Sequence, residues 1–469
     1  MKSSNFWALR TASVTLVMFF SGHGLHAQSS RERTPTFAAP ARIQPTTRES
    51  VPMGGVRLLD PVAFASQDAP PVAILPQAGQ MTADSVVQDV LAKNQSLAQM
   101  TAAWQAASTK FPQVTSPDDP MFAGMVAPNS FSSRNVQPGY RVEVSQKILW
   151  PGKKSLRGEI ALAEAGAAGS DVEDMRLQLI EMARNAFYEY YLVHRGQAVN
   201  DESLQLLNEF RNNAETRFRT GQIPQQDILQ ADVEIGKQRE RAIILDRMRR
   251  VAIARINTLM HQSPTDPLAV PPTQLSRIEL LQPADQLISL AVANRPDLRA
   301  LESRIVADRA ALALAMKEYW PDVEVLGAYD TIMGNGPSRD LAPQVGVRMN
   351  LPVRTGKRNA AVAEAQAKIA QRSFELAAKI DQVKFQVQES YEQVRESERI
   401  LQLYEAKILP QAQENVKSAQ NAYVTGKTPF LSLIEAQRNL VTLRDRNFEA
   451  TADYFRRRAT LDRLTGRSP

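Results

Sequence analysis

The sequence predicts a mostly α-helical fold with a small β part: tandem-duplicated long helical hairpins joined to four short strands. Three observations carry that prediction. Residues 155–220 and 359–424 read as very long helices, the first with no proline and the second with Pro410 alone. Short segments of strict period-two alternation precede each of them. Landmarks of the first half also recur in the second at an offset that stays between 201 and 205 residues, which marks a tandem duplication.

Taken in order, the chain opens with Lys2 and Arg10 flanking an apolar run over residues 11–20, and a cut after Ala27 fits the small residues there. Residues 1–27 therefore read as a secretory signal peptide, although Leu25 is large for its place before the cut. Residues 28–80 carry eight prolines, from Pro35 to Pro76, and read as an extended tail. Past the leader no apolar stretch reaches the ~18 residues of a membrane helix. Any membrane location of the mature chain has to come through strands or a peripheral surface.

The first repeat is placed at 81–280 and the second at 281–469. In the first, Val86, Val87, Val90, Leu91, Ala98 and Ala102 recur at helical steps, and this helix is expected to stop near Phe111 and Pro112. Two strands follow, then a helix from about Ser155. Thr220, Gly221 and Pro224 end that helix, and a return helix starts at Gln225. The second repeat echoes each step, with Gly356 and Lys357 for Gly152 and Lys153, and Thr425, Gly426 and Pro429 at the second turn.

The alternation is cleanest in residues 140–150 and 344–351. Val142, Val144, Ile148 and Trp150 face one way in the first, and Val345, Val347, Met349 and Leu351 in the second, with polar residues between. About ten residues is the length of a tilted membrane strand, and apolar-out, polar-in is what a membrane barrel encodes. A small soluble sheet with one wet face uses the same pattern. The export signal and the length of the adjoining helices favour the membrane. The partner segments 121–127 and 323–330 alternate less cleanly. Four strands cannot close a barrel, and open edges cannot face lipid, so several chains would have to pool them: two give eight strands, three give twelve.

Composition excludes several chemistries. With no cysteine there are no disulfides, thiolate metal sites or lipidated N-terminal Cys. A net charge of +6, scattered along helices, gives no nucleic-acid footprint. In the return helix, Ile235, Ala242, Ile243, Leu245, Met248, Val251 and Ala254 form an apolar stripe among arginines and lysines, as on the solvated side of a coiled coil. After the leader only His194 and His261 remain, neither with a second ligand at metal spacing, and no nucleophile elbow or phosphate loop is present. No metal, cofactor or enzymatic activity is expected.

Four stretches together resemble the TolC-like family of outer-membrane efflux channel proteins. Residues 146–153 (QKILWPGK) and 345–352 (VGVRMNLP) look like the strands that enter the two long helices. Residues 217–221 (RFRTG), followed by Asp227, and 423–426 (YVTG), followed by Leu433 and Glu435, look like the two helix–turn–helix tips. The resemblance runs from about Thr82 to Gly466. It implies a homotrimer whose pooled strands form a 12-stranded β-barrel in the outer membrane, continued by a periplasmic α-helical barrel. It also implies partners, a periplasmic adaptor (membrane fusion) protein and an inner-membrane pump, and passage of substrate without chemistry. By position, the periplasmic gate and adaptor contact fall on Arg217, Gly221, Asp227, Gly426, Lys427, Ser432 and Glu435. Rings of carboxylates from symmetric copies would make a constriction. Some members have aspartate where this chain has Ser432, and Pro224 and Pro429 stiffen both turns. The reading from a different class is a periplasmic coiled-coil structural or adaptor protein without a pore, which would explain the export and the helices but neither the strands nor the duplication.

Overall fold

The computed structural model describes residues 81–127, 139–275, 282–332 and 343–467. The signal peptide, the proline-rich tail and the boundary between the repeats at 280/281 lie outside the described residues. Within them the chain runs α1 (Ala83–Lys93), α2 (Gln95–Ser108), α3 (Lys110–Thr115), β1 (Met121–Ala127), β2 (Gly139–Ile148), α4 (Lys153–Arg219) and α5 (Gln225–Leu259). The same programme follows again as α6 (Ala284–Asn294), α7 (Pro296–Lys317), β3 (Val323–Ile332), β4 (Gln344–Met349), α8 (Thr355–Leu403), α9 (Leu409–Val424) and α10 (Phe430–Leu464).

The single first helix expected from periodicity is three. Asn94 breaks it: its Oδ1 accepts the backbone N–H of Ser96 and of Leu97, and its Nδ2 donates to the Leu259 carbonyl at 2.9 Å. An Asn that caps a helix competes with the ladder it would otherwise continue. At the matching place Arg295 precedes Pro296, whose fixed φ suits the first helical position. Ahead of α1, Thr82 and Ser85 cap each other's N–H.

Helix α4 has 67 residues, a rod of about 100 Å at 1.5 Å per residue. No helix among the described residues is long and apolar enough to cross a membrane. Between α8 and α9 residues Tyr404–Ile408 form one π-helical turn just before Pro410. Proline has no N–H to give the carbonyl four residues back, and its ring crowds that carbonyl; a wider turn relieves both. Along α8 the buried positions are Val383, Val387, Ser390, Val394, Ser397 and Leu401, alternating steps of four and three as in a coiled-coil seam.

The four strands form one antiparallel sheet in the order β1-β2-β3-β4. Its central pair joins the two halves of the chain, with Gly139 opposite Ile332 at one end and Ile148 opposite Val323 at the other. Strand β4 stops at Met349, short of the expected Leu351. There the Asn350 side chain takes the N–H of Asp322 at 2.6 Å, in place of a ladder bond. The main core lies where α1, α4, α5, α6, α8 and α10 meet, around Val90, Ala183, Phe187, Ile256, Ala291, Val383 and Ala452. A second cluster, with Leu207, Phe210, Ala231, Ile235, Tyr423, Phe430, Leu433 and Ile434, packs the two hairpins together near their turns.

Candidate functional site

Two regions bring the sequence-selected residues together: the paired hairpin turns at one end and the sheet at the other.

At the first turn α4 ends in a Schellman arrangement. Gly221 has φ 76°, its N–H donates to the Phe218 carbonyl at 2.8 Å, and that of Gln222 reaches Arg217 at 2.9 Å. The second turn is the same construction, with Gly426 at φ 71° donating to Tyr423 and Lys427 to Ala422. Glycine fits because a Cβ disfavours the left-handed backbone that the motif requires. Pro224 and Pro429 then cap α5 and α10 with extended backbone. Asp227 and Ser432 occupy equivalent places one turn into those helices, their N–H groups donating to the carbonyls of Pro224 and Pro429. A carboxylate in the first turn of a helix meets the positive end of its dipole.

Arg217 ties the two hairpins to each other. Its guanidinium lies over the Tyr423 ring, 4.9 Å from the centroid, while its Nη1 donates to the Tyr423 carbonyl at 3.0 Å and its Nε to Gln222 at 3.3 Å. The Tyr423 hydroxyl points back to Asp227 at 3.5 Å. Burial raises the Asp227 carboxyl above its ordinary value; the Tyr423 hydroxyl and Arg217 offset part of that. Two turns further from the tip, buried Glu234 receives a two-pronged hydrogen bond from Arg438 of the other hairpin and a third contact from Lys237 at 2.9 Å. The Arg438 hydrogen bonds hold Glu234 below the usual carboxylate range. Gly221, Gly426, Lys427 and Glu435 are exposed.

Tyr423, Glu234 and Arg438 were not among the residues selected from sequence. Tyr423 stood inside the quoted YVTG stretch, and its distance of 206 residues from Arg217 matches the duplication offset to within one. The offset itself was therefore the available signal: residues about 204 apart at matched places face each other, as with Glu234 and Arg438, or Arg241 and Asp445.

On the sheet, the registers put Val142, Val144 and Ile148 on one face with Phe122, Val126, Val323, Val325, Tyr329, Val345, Val347 and Met349. This face is open: Val345 is 85% exposed and Phe122 73%. The opposite face is the more enclosed, with Glu143 only 7% exposed. Trp150 and Leu351 fall just beyond the strand ends. Trp150 sits at the junction with the helices instead, its ring stacked on Trp320 with centroids 5.0 Å apart. Beneath that stack Lys153, fully buried, donates to Asp322 at 2.9 Å and to the Trp320 carbonyl at 3.2 Å, and Asp322 also accepts the Trp150 N–H. This knot fastens the strand–helix junction of the first half to that of the second.

Histidine is sparse, with His194 and His261 alone beyond the leader. His194 is partly buried beside Tyr190, and that burial lowers its pKa; His261 lies one residue past the end cap of α5, in a left-handed backbone. Among the described residues no three His, Asp or Glu are placed to hold a metal ion.

Comparison with known proteins gives a consistent result. Residues 287–467 match the model of the outer membrane efflux protein family. Nodulation protein T of Rhizobium leguminosarum bv. trifolii is 22% identical over 293 residues, 60% of this chain and 62% of that protein. An uncharacterized protein of Haemophilus influenzae is 22% identical over 190 residues, 40% of each chain. The chain thus spans less than two thirds of the length of the curated relatives it matches. Among solved structures, the outer-membrane channel OprN superposes with TM-score 0.70 at 19% identity, covering 82% of this chain and 90% of that one. The outer membrane protein VceC of Vibrio cholerae gives 0.69 at 16% identity, covering 82% and 96%. At these identities the likeness is one of fold: long helical hairpins joined to a strand segment.

Proposed function

We infer that this chain, which carries an outer membrane efflux protein domain over residues 287–467 and shares its fold with outer-membrane channels, is one protomer of the outlet of a tripartite efflux or secretion system. It sits in the outer membrane by its strands and reaches into the periplasm by its helices. There it takes substrate from an adaptor protein and an inner-membrane pump, and passes it outward without chemistry.

One observation carries this reading: a four-stranded sheet with an exposed apolar face and all its charges on the other. Strand β2 has ten residues, about 33 Å of chain, and tilted by ~40° it crosses the ~25 Å apolar band of an outer-membrane barrel. Edge strands β1 and β4 would leave backbone N–H and C=O groups bare in lipid, and a row of such groups costs several kcal/mol each. Pooling closes the edges, and three copies give twelve strands. The turns clamped by Arg217 and Tyr423 lie at the far end of the hairpins and form the periplasmic gate, with Gly221, Asp227, Gly426, Lys427, Ser432 and Glu435 around it offering the adaptor contact. A periplasmic coiled coil without a pore would leave Val345, Val347 and Phe122 bare to water for no return.

The test is conductance of the purified protein in a planar bilayer, paired with its mass in detergent. Discrete pores from a trimer are expected. A water-soluble monomer or dimer with no conductance would overturn the reading.

A further inference from the structure

The described strands contain six charged residues, and the registers put every one of them on the enclosed face. Arg141, Glu143 and Lys147 come from β2, Glu324 and Asp330 from β3, and Arg348 from β4. Three are cationic and three anionic. They form a chain of pairs: Arg141 to Glu143 at 2.8 Å and to Asp330 at 3.5 Å, and Arg348 to Glu143 at 3.2 Å and to Glu324 at 3.1 Å. Lys147 lies opposite Glu324 in the register.

Glu143 is the centre of this ribbon. Its two oxygens are split between two arginines on different strands, and its side chain is the least exposed of the bonded five. A carboxylate that enclosed is stable only while paired. It also sets what an ion in the lumen meets. Opposite charges about 3 Å apart cancel over distances well below the ~8 Å screening length of physiological salt, so the ribbon projects little field of either sign. Remove the carboxylate charge, and the two guanidinium groups share one fewer anion.

We propose that this ribbon is the charge filter of the membrane-spanning part of the pore, balanced to pass either sign, with Glu143 as its central anion. The inference rests on the channel reading above, and places the enclosed face of the sheet in the lumen. The pore then carries no fixed net charge where its strands line it. Each single neutralisation adds one uncompensated charge per protomer, repeated by symmetry around the ring.

Reversal potentials in a KCl gradient test this on single channels of the purified full chain. Glu143→Gln is expected to shift the permeability ratio toward chloride, and Arg348→Gln toward potassium. Each shift should be about twofold or more, the Boltzmann weight of an unpaired charge met at several ångströms in water. The double variant should return close to wild type. Glu324→Gln, at a more exposed position, gives a second route to the anion-selective shift where Glu143→Gln fails to assemble. Conducting variants whose ratios stay at the wild-type value, or move the same way, would overturn the proposal and leave the channel standing. A wild-type protein that forms no pore would overturn the channel reading, and the filter with it.

Discussion

Replacing Arg217 by alanine should loosen the closed arrangement of the hairpin turns, and the structure gives the size of the effect. The guanidinium makes a charge-assisted hydrogen bond to the Tyr423 carbonyl and a cation–π contact with the same residue's ring. The first is worth about 1.5 kcal/mol at a half-exposed site and the second about 0.5 kcal/mol. Their loss amounts to about 2 kcal/mol per protomer, or roughly thirtyfold in the ratio of open to closed turn. Lysine keeps the charge but not the planar fork, so Arg217→Lys should fall between wild type and alanine. Tyr423→Phe keeps the ring and the carbonyl and loses only a 3.5 Å contact to Asp227, so it should change the ratio by little more than twofold. Open probability of single channels at fixed voltage reads all three. An Arg217→Ala channel within twofold of wild type, or a Tyr423→Phe channel opening more than it, would refute the assignment of the clamp to Arg217.

Other perturbations follow from the same geometry. Burial raises the Asp227 carboxyl, so its contribution to the closed turn is present while the group is protonated and is lost as pH rises through that raised value; opening should increase from acid toward neutral pH, and Asp227→Asn should remove that part of the profile. Asp322→Ala leaves the Trp150 N–H without its acceptor and the buried Lys153 ammonium with only the Trp320 carbonyl and the Glu318 carboxylate at 3.6 Å, at a cost of about 1–3 kcal/mol; thermal unfolding in detergent should show it, and Lys153→Met combined with Asp322→Ala should recover part of the loss. Val144→Lys puts a charge on the open apolar face at about 2–4 kcal/mol, whereas Met125→Lys on the charged face should cost about 1 kcal/mol or less; the yield of assembled oligomer in outer membrane separates the two, and equal yields would undo the assignment of faces.

Much of this architecture was legible because its signals are local. Long runs without proline, glycine and proline at the turns, and valines alternating with charged residues each follow from backbone geometry a few residues wide. Asn94 was missed because a capping asparagine and a surface asparagine look alike until its Nδ2 finds Leu259, 165 residues away. The Arg217–Tyr423 clamp was missed for a similar reason. Each residue is unremarkable in its own helix, and the pairing exists only once two hairpins lie side by side. Trp150 illustrates a third kind of failure, since period-two counting runs on past the end of a strand. The strand ends because Asp322 takes the Trp150 N–H, which no count along one segment can reveal.

The π-helical turn before Pro410 has a bearing on how the two halves came to differ. From Gly152 to Gly221 the chain advances sixty-nine positions, while from Gly356 to Gly426 it advances seventy. The second descending rod is therefore one residue longer between equivalent landmarks. Up to Leu401 its buried positions keep a heptad beat; carried on, that beat would arrive at 411, 415, 418 and 422, yet the inward residues are Ala412, Val416, Ala419 and Tyr423. All four are late by one. An added residue in an unbroken α-helix would have swung everything beyond it by about 100°, turning Tyr423 away from Arg217. The wide turn at Tyr404–Ile408 takes up that surplus and hands the seam on in phase. Removing one residue there, with Pro410 replaced, should give a straight rod that still delivers Tyr423 to its partner. Adding one should not.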